Sequence, residues 1–234
     1  EWRSGTRTTL TNVMANRLYE VDELAAVPKS PTAPFAERPL FEDASGLLNH
    51  QHHEEAFDDF ARQPLLALKR SQAGPGVAWF DADGDGVSEL FIGGGRGGNL
   101  AGYRINPGAA WEPANALRQM ALPDDATGLV GWTSPSGRRE LLAGISGYES
   151  EGARSVLSVQ FAAAGASVTN RAELAGTGAG ALAVADIDGN GLLDLFVGGF
   201  AIAGRYPEAT SNRIYRASGE GLVLDGANTA TLAG

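Results

Sequence analysis

The sequence repeats itself in steps of about 50 residues, and this repeat limits the possible folds more than any other feature. The segment GPGVAWFDADGDGVSELFIGGG, from Gly74, aligns without a gap with AGALAVADIDGNGLLDLFVGGF, from Ala179. A third copy, LVGWTSPSGRRELLAGIS from Leu129, lies between them and has a loop two residues shorter. Positions 81, 134 and 186 are then equivalent, in steps of 53 and 52 residues.

Each copy has the same order of features: an apolar strand, a tight polar loop, a second apolar strand and a run of glycines. A repeat of roughly 50 residues built from strands is typical of the blade of a β-propeller, in which four-stranded sheets stack around an axis. A solenoid would need shorter and more uniform repeats. Since propellers usually close with roughly 4–8 blades, the three copies in 74–234 predict an all-β propeller that is incomplete within this chain.

Composition agrees with a β fold and excludes several classes of function. The chain has 32 glycines in 234 residues, about twice the usual share of roughly 7%. Its 18 basic and 28 acidic residues leave a net charge of −10, which argues against binding nucleic acid. The absence of cysteine excludes disulfides, iron–sulfur clusters and thiolate zinc sites. No apolar run reaches the roughly 18 residues of a membrane span, so we predict none.

The chain before the repeats divides into three predicted segments. Residues 1–26 read as strands around turns, with β-branched and apolar residues at Thr8–Leu10 and Val13–Val21. Residues 27–39 contain four prolines and predict an extended linker. Residues 40–73 form a lead-in segment, in which HQHHEEAFDDF predicts a short helix before a proline. The charged, strand-like beginning of the chain, EWRSGTRTTL, leads us to expect a fragment of a longer polypeptide whose sorting signal lies upstream.

Two loops carry the chemistry of the repeat. They read DADGDGVSE and DIDGNGLLD, and both place oxygen-bearing side chains at positions 1, 3, 5 and 9 and glycine at positions 4 and 6. Alternate residues of a tight loop can turn their carboxylates inward, and a hard cation such as Ca²⁺ prefers several oxygen ligands. The carbonyl at position 7 can add a backbone ligand. The sequence therefore predicts two Ca²⁺ sites, with the ligands Asp81, Asp83, Asp85, Val87 and Glu89, and Asp186, Asp188, Asn190, Leu192 and Asp194.

These loops are not EF-hands, because position 12 is Ile92 or Val197 instead of a bidentate glutamate. The ion would fix a β-hairpin. The alternative is an acidic hairpin turn without metal, but the four acids of the first loop would then repel one another. Two bound Ca²⁺ ions would change the formal charge from −10 to −6.

The middle copy reads SPSGRRE in the same place. Ser134, Ser136 and Arg138 cannot make a carboxylate cage, and Arg139 lies next to them. We predict no metal in this loop.

The runs VAWFDADGDGVSELFIGGG and VADIDGNGLLDLFVGGF resemble FG-GAP/VCBS repeats, the calcium-loop blades also found in integrin α-subunit propellers. Three further segments extend the resemblance over most of the chain. FEDASGLLNHQHHEEAFDDFARQPLLALKRSQAGPGVAW, from Phe41, resembles the segment that leads into a propeller in large bacterial VCBS-repeat proteins. AGRYPEATSNRIYR, from Ala203, resembles the strand that follows a metal loop. EWRSGTRTTLTNVMANRLYEVDE, from Glu1, resembles the end of an ASPIC/UnbV domain, which also occurs in relatives of cartilage acidic protein.

The resemblance implies the same ten calcium ligands, with the difference that Glu89 stands where the family usually has aspartate. It also implies an exported protein, at the cell surface, outside the cell or in the periplasm, that contacts proteins or carbohydrates. It implies no reaction.

Other candidate sites have plainer explanations. His50, His52 and His53 lie beside Glu54, Glu55, Asp58 and Asp59 and could bind Zn²⁺ or another transition metal. The alternative, which the resemblance favours, is a polar connecting segment that bonds to the first blade. The run GGGRGGN has no GK[ST] after it, so a strand-exit loop explains it better than a phosphate cradle. Trp79, Trp111 and Trp132 could stack on sugars, but the equivalent pair Trp79 and Trp132 predicts core between blades.

Three functions are compatible with this pattern. The first is a calcium-stabilised, non-enzymatic propeller module for protein or glycan interaction, completed by the rest of its own polypeptide or by partner chains. The second is a carbohydrate-active lyase or hydrolase on a propeller scaffold. The third is an accessory subunit of a larger envelope complex. No GxSxG, HExxH or CxxCH motif occurs to favour catalysis.

Overall fold

The computed structural model describes residues 1–24, 26–28, 40–41, 43, 45–104, 112–113, 120–150, 155–162, 165–172, 178–219 and 221–232. The chain divides into two compact units, Glu1–Asp43 and Ala44–Gly234. Helices in these described residues are all too short and too polar to cross a membrane.

The first unit contains one small antiparallel ribbon, formed by β1 (Thr6–Arg7) and β2 (Val27–Pro28). The strands predicted over Thr8–Leu10 and Val13–Val21 do not form; those residues are turns and irregular backbone. Their apolar side chains are mostly exposed. A pattern of apolar residues makes a strand only when a partner strand takes up its backbone hydrogen bonds. Most of the predicted linker 27–39 lies outside the described residues, and its first two residues pair in β2.

The second unit begins with two single-turn helices, α1 (Ser45–Leu48) and α2 (Asp59–Arg62). The helix predicted within HQHHEEAFDDF is therefore confined to its last two residues and the two that follow. Asp58 caps α2, since its side chain accepts hydrogen bonds from the backbone nitrogens of Phe60 and Ala61 at 3.0 and 3.1 Å.

Three four-stranded antiparallel sheets follow, each made of strands that are consecutive in the chain. The first sheet contains β3 (Val77–Phe80), β4 (Glu89–Ile92), β5 (Ala101–Arg104) and β6 (Glu112–Pro113). The second contains β7 (Ala126–Thr133), β8 (Arg139–Ile145), β9 (Val156–Ala162) and β10 (Gly165–Ala172). The third contains β11 (Ala179–Ala185), β12 (Asp194–Gly199), β13 (Arg213–Ser218) and β14 (Gly221–Leu224), followed by helix α3 (Gly226–Thr231). The described chain is thus mostly β, as predicted.

The first strands of the three sheets lie side by side, with β7 between β3 and β11. The backbone nitrogen of Gly76 donates to the carbonyl of Ala126 at 2.9 Å. The Thr127 hydroxyl donates to the carbonyls of Ala179 and Gly180, each at 2.8 Å. A Cβ added at Gly76 would lie 2.8 Å from Cα of Gly128, so only glycine permits this approach. Glycine at this position of the repeat therefore allows the backbones of neighbouring sheets to approach closely.

Two apolar cores fill the spaces between successive sheets. The first joins Phe91 and Ala78 of the first sheet to Leu129, Leu141 and others of the second. The second joins Trp132 and Leu142 of the second sheet to residues of the third, namely Leu195, Val197 and Tyr215. The first sheet therefore packs against the second, and the second packs against the third.

Strand pairing corrects the alignment of the middle copy by one residue. Phe80 pairs with Glu89 and Ala185 with Asp194, whereas Trp132 pairs with Glu140. Trp132 is thus the structural equivalent of Phe80 and not of Trp79. The sequence alignment missed this because a shortened loop allows the gap to be placed on either side of one residue.

The two tryptophans consequently lie in different environments. Trp132 is fully buried, and its indole nitrogen donates to the carbonyl of Leu193 in the third repeat at 2.6 Å. Trp79 lies on the face of the first sheet that points away from the second, and it is 53% exposed. The prediction of core is confirmed for Trp132 and wrong for Trp79, while Trp111 lies outside the described residues.

We expect Trp132→Ala to destabilise the protein by about 3–5 kcal/mol, because it empties the core between the second and third sheets and removes a buried hydrogen bond. Trp79→Ala should cost only about 1 kcal/mol, since half of that side chain is already in water. Urea denaturation followed by circular dichroism measures both. Equal losses for the two variants would contradict the register described above.

Candidate metal centres

The first loop connects β3 to β4 and is shaped by the carboxylate of Asp81. Its two oxygens accept hydrogen bonds from the backbone nitrogens of Gly84 and Gly86 at 2.7 and 3.1 Å. These two glycines have φ of 85° and 88°, a region that other residues rarely adopt. The glycines at positions 4 and 6 are therefore required by the turn itself.

The third loop, between β11 and β12, has the same construction. Asp186 accepts from the backbone nitrogens of Gly189 and Gly191, both at 2.8 Å, and these glycines have φ of 74° and 84°. The equivalence of the two loops, first seen as a sequence repeat, is thus an equivalence of backbone conformation.

Each of these loops brings three carboxylates together. One oxygen from each of Asp81, Asp83 and Glu89 lies within 4.8 Å of the others, and the same holds for Asp186, Asp188 and Asp194. The acid at position 9 is the buried member in both: Glu89 is 7% exposed and Asp194 is fully buried. Oxygen ligands gathered at this spacing can hold a hard cation.

The two buried acids, Glu89 and Asp194, differ in the hydrogen bonds that stabilise their carboxylates. Glu89 Oε2 accepts from the backbone nitrogen of Ala82 at 3.0 Å, but its buried Oε1 has no hydrogen-bond partner. Burial raises the pKa of Glu89, and the neighbouring Asp83 and Asp85 raise it further. A buried carboxylate oxygen without a hydrogen-bond partner, on a residue grouped with Asp81 and Asp83, fits a place for a cation.

At Asp194 burial also acts to raise the pKa, but hydrogen bonds from the backbone nitrogens of Ala217 and Ile187 and from Arg216 hold it below its ordinary value. Those two nitrogens lie 2.8 and 3.1 Å from the carboxylate.

Asp85, at position 5 of the first loop, does not belong to the group of three carboxylates. Asp85 accepts from the backbone nitrogen of Val87 at 2.8 Å and from Arg104 at 2.7 Å. Asn190 likewise accepts from the backbone nitrogen of Leu192 at 2.8 Å. Ligation by Asp85 and Asn190, and by the carbonyls of Val87 and Leu192, stays a prediction.

Three arginines reach into these loops, and the sequence analysis missed this role. Arg104 on β5 bonds to Asp83 and Asp85, and Arg216 on β13 bonds to Asp194 at 2.8 Å. Arg139, from the second sheet, donates to the carbonyl of Asp81 at 2.7 Å and lies 2.8 Å from its carboxylate. A signal was present in the sequence, because Arg104 and Arg216 each follow a tyrosine after a metal-type loop.

The middle loop contains an internal ion pair where the other two have carboxylates. Arg138 Nε donates to Glu140 Oε1 at 2.6 Å, and Glu140 is fully buried. The Ser134 hydroxyl accepts from the backbone nitrogen of Arg138 at 3.0 Å and lies 2.9 Å from the hydroxyl of Ser136. Arg139 was expected to oppose cation binding in this loop, but its guanidinium bonds to Asp81 of the first loop.

The histidines are spread along the lead-in segment. His50 Nδ1 lies 2.8 Å from the hydroxyl of Tyr103, and burial lowers the pKa of His50. His52 Nε2 lies 3.6 Å from a carboxylate oxygen of Glu54, and the carbonyl of His53 accepts from the backbone nitrogen of Gly95 at 3.2 Å. Within 45–104, where all three lie, they take part in no three-residue metal-type group. These contacts favour the interpretation of 50–53 as a connecting segment. The GGGRGGN run is one part of the first sheet to which this segment bonds.

A second set of acids lies at the opposite ends of the hairpins and was not anticipated. Asp124 accepts from the backbone nitrogens of Glu149 and Ser150 at 3.1 and 2.7 Å. Asp125 accepts from Ala73, and Glu149 accepts from the backbone nitrogen of Gln72 at 3.1 Å. Asp125 and Glu149 therefore bond the end of the lead-in segment to the second sheet, and Asp124 holds the loop that contains Glu149.

No family model matches the chain, and no curated protein is significantly similar to it. The likeness to FG-GAP/VCBS repeats and to the ASPIC/UnbV domain therefore remains a resemblance carried by the motifs quoted above.

Glu149 predicts a pH dependence of stability. Burial, with Asp125 and Asp124 nearby, raises its pKa from 4.5 to about 7. The folded state then binds more protons than the unfolded state between those values, so this group's contribution to stability falls as pH rises. Glu149→Gln removes this titration. Between pH 4.5 and 8 the free energy of unfolding of the variant should therefore rise relative to that of wild type, by at most about 3 kcal/mol. Denaturant titrations across this range measure it. Parallel pH profiles for the two proteins would contradict the assignment.

Proposed function

We propose that this chain is a calcium-stabilised module of the β-propeller type that acts by binding proteins or glycans and has no catalytic activity of its own. The observation that carries the calcium part is the repeated carboxylate group, Asp81, Asp83 and Glu89 in one loop and Asp186, Asp188 and Asp194 in the other. Both groups sit at the same place in their sheets, and one contains a buried oxygen without a hydrogen-bond partner.

The donor set favours calcium over a transition metal. Every candidate ligand is an oxygen, the chain has no cysteine, and the histidines of 50–53 are not part of either group. Bound Ca²⁺ would neutralise the converging carboxylates and link the two strands of each hairpin. Asp81 and Asp186 would hold the turn, while Glu89 and Asp194 would tie it to the second strand. The longer side chain of Glu89 still reaches the other two acids of its loop.

The arrangement of the sheets supports the propeller part. Three consecutive antiparallel sheets place their first strands side by side, and the second sheet packs against both the first and the third. On the outer face of the first sheet Val77 and Trp79 are 55% and 53% exposed, whereas Leu90, Ile92 and Tyr103 are buried in a cluster with Leu48 of α1. The faces between successive sheets are covered by the neighbouring sheet. Further blades, from the rest of the polypeptide or from partner chains, would pack against the outer faces of the first and third sheets.

An extracellular, cell-surface or periplasmic location suits such a module. Millimolar calcium outside the cell would load sites of the modest affinity found in extracellular modules. The acidic surface of the chain, with a net charge of −10, suits partners other than nucleic acid. The acids of the two carboxylate loops take part in the carboxylate groups or in ion pairs, and the proposal gives them a structural role and not an acid–base role.

Thermal unfolding in EDTA, in millimolar Ca²⁺ and in millimolar Mg²⁺ tests this proposal. We expect a calcium-selective rise in Tm, because each site adds about 2.7 kcal/mol when free Ca²⁺ is 100-fold above its Kd. The variant Asp83→Ala with Asp188→Ala should lose the rise. The matched control is Ser134→Ala with Ser136→Ala in the middle loop, which should keep it. A double aspartate variant that still gains Tm with calcium as wild type does would place the sites elsewhere.

A further inference from the structure

We propose that Arg104 and Arg216 are built-in counter-ions of the two carboxylate loops, and that they give the loops unequal affinities for calcium, weaker in the first and tighter in the third. This inference rests on the proposed calcium sites and concerns how they are filled.

The two arginines occupy one structural position in the repeat. The pair Leu90 and Tyr103 places Arg104 opposite Glu89, and the pair Leu195 and Tyr215 places Arg216 opposite Asp194. In the second sheet the corresponding residue is Gln160, which pairs directly with Glu140.

The second sheet draws its positive charge from elsewhere. Its loop contains Arg138, which bonds to the buried Glu140, and its third strand has Gln160. The other two sheets have carboxylate loops and an arginine on the third strand. Each of the three buried acids thus has an arginine beside it, which comes from the loop in the second sheet and from the third strand in the other two. The arginine therefore lies in the loop where the loop has no carboxylate group and on the third strand where it has one, and in each case it compensates a buried charge.

In the first loop the arginine bonds to the two exposed carboxylates at positions 3 and 5. Nη2 of Arg104 donates to Oδ2 of both Asp83 and Asp85, and Nε lies 3.7 Å from Oε1 of Glu89. That Oε1 is buried and has no hydrogen bond, so the guanidinium compensates the charge without satisfying the oxygen. A metal ion bound to these residues would meet the bonds that Arg104 now makes, and binding would include the cost of releasing them.

In the third loop the arginine is held to one side. Arg216 Nε donates to Oδ2 of Asp225 at 2.9 Å, and Asp225 is itself fixed as the N-cap of α3, where it accepts from the backbone nitrogen of Asn228 at 3.0 Å. The same guanidinium reaches Asp194 at 2.8 Å but lies 3.5 Å from Asp188. It therefore leaves the exposed ligand of the loop more open to a metal than Arg104 does.

The balance of charge points the same way. Four loop carboxylates (81, 83, 85 and 89) and two arginines (104 and 139) leave the first loop at −2. Three loop carboxylates (186, 188 and 194), Asp225 and Arg216 leave the third at −3. The third loop thus attracts a divalent cation more strongly, and the first loop would fill only as calcium rises further.

Calcium titrations of single-site proteins test this inference. Asp188→Ala silences the third loop and Asp83→Ala silences the first, and isothermal calorimetry then gives one Kd for each. We expect the third loop to bind about tenfold more tightly than the first. Adding Arg104→Gln to the Asp188→Ala protein, which copies the residue of the second sheet, should tighten the first site by about tenfold. In EDTA the Arg104→Gln protein should melt below its parent, because its loop has lost a counter-ion.

A matched control separates position from charge. Arg205→Gln makes the same change at an exposed arginine that pairs with Glu208 and with neither loop, and it should leave both Kd values unchanged. Asp225→Asn in the Asp83→Ala protein provides an independent variant, because it releases Arg216 and should weaken the third site.

The outcomes distinguish the two proposals. If neither loop of the parent proteins binds calcium, the proposed function fails. If both bind but Arg104→Gln leaves the first site unchanged or weaker, the counter-ion inference is overturned while the calcium module stands. Equal affinities of the two parents, or an unchanged third site in Asp225→Asn, would overturn the inequality.

Discussion

A buried carboxylate at the start of the second strand is the feature on which each repeat depends. Glu89, Glu140 and Asp194 occupy this place, and each is less than a tenth exposed. A buried charge is costly unless a counter-charge and hydrogen bonds accompany it. The three sheets meet this requirement differently, with an arginine in the loop of the second sheet and with third-strand arginines beside the carboxylate groups of the other two. The chemistry of each loop follows from the way its buried acid is compensated.

The same positions connect the loops to the cores. Phe80, Trp132 and Ala185 pair with the three buried acids. The first two lie on faces directed at the next sheet, where they fill the spaces between sheets. The loop is thus directly connected to the end of the strand whose other residues form the core. Under the proposed function, calcium binding would be coupled to the stability of the fold through this short connection.

The opposite ends of the hairpins serve a structural purpose. Buried acids there accept backbone hydrogen bonds from the lead-in segment, and glycines of the β4–β5 loop lie against the backbone of His53. The two ends therefore differ in chemistry: carboxylates grouped for a cation at one, and carboxylates consumed by backbone nitrogens at the other. His53 and the glycine-rich run, which looked like parts of separate candidate sites in the sequence, belong to this fastening.

Residue types and spacing were enough to predict four features: the repeat, its β structure, the turn geometry of the two aspartate loops and the grouping of their carboxylates. These features are local, since a loop such as DADGDG bends as its own glycines and first aspartate require. Long-range packing decided the rest: the one-residue shift that buries Trp132 and leaves Trp79 exposed, the reach of Arg139 into a neighbouring loop, and the failure of Thr8–Leu10 to become a strand. Each of these depends on which backbone or side chain lies opposite, and residues far apart in the chain meet only when the sheets stack.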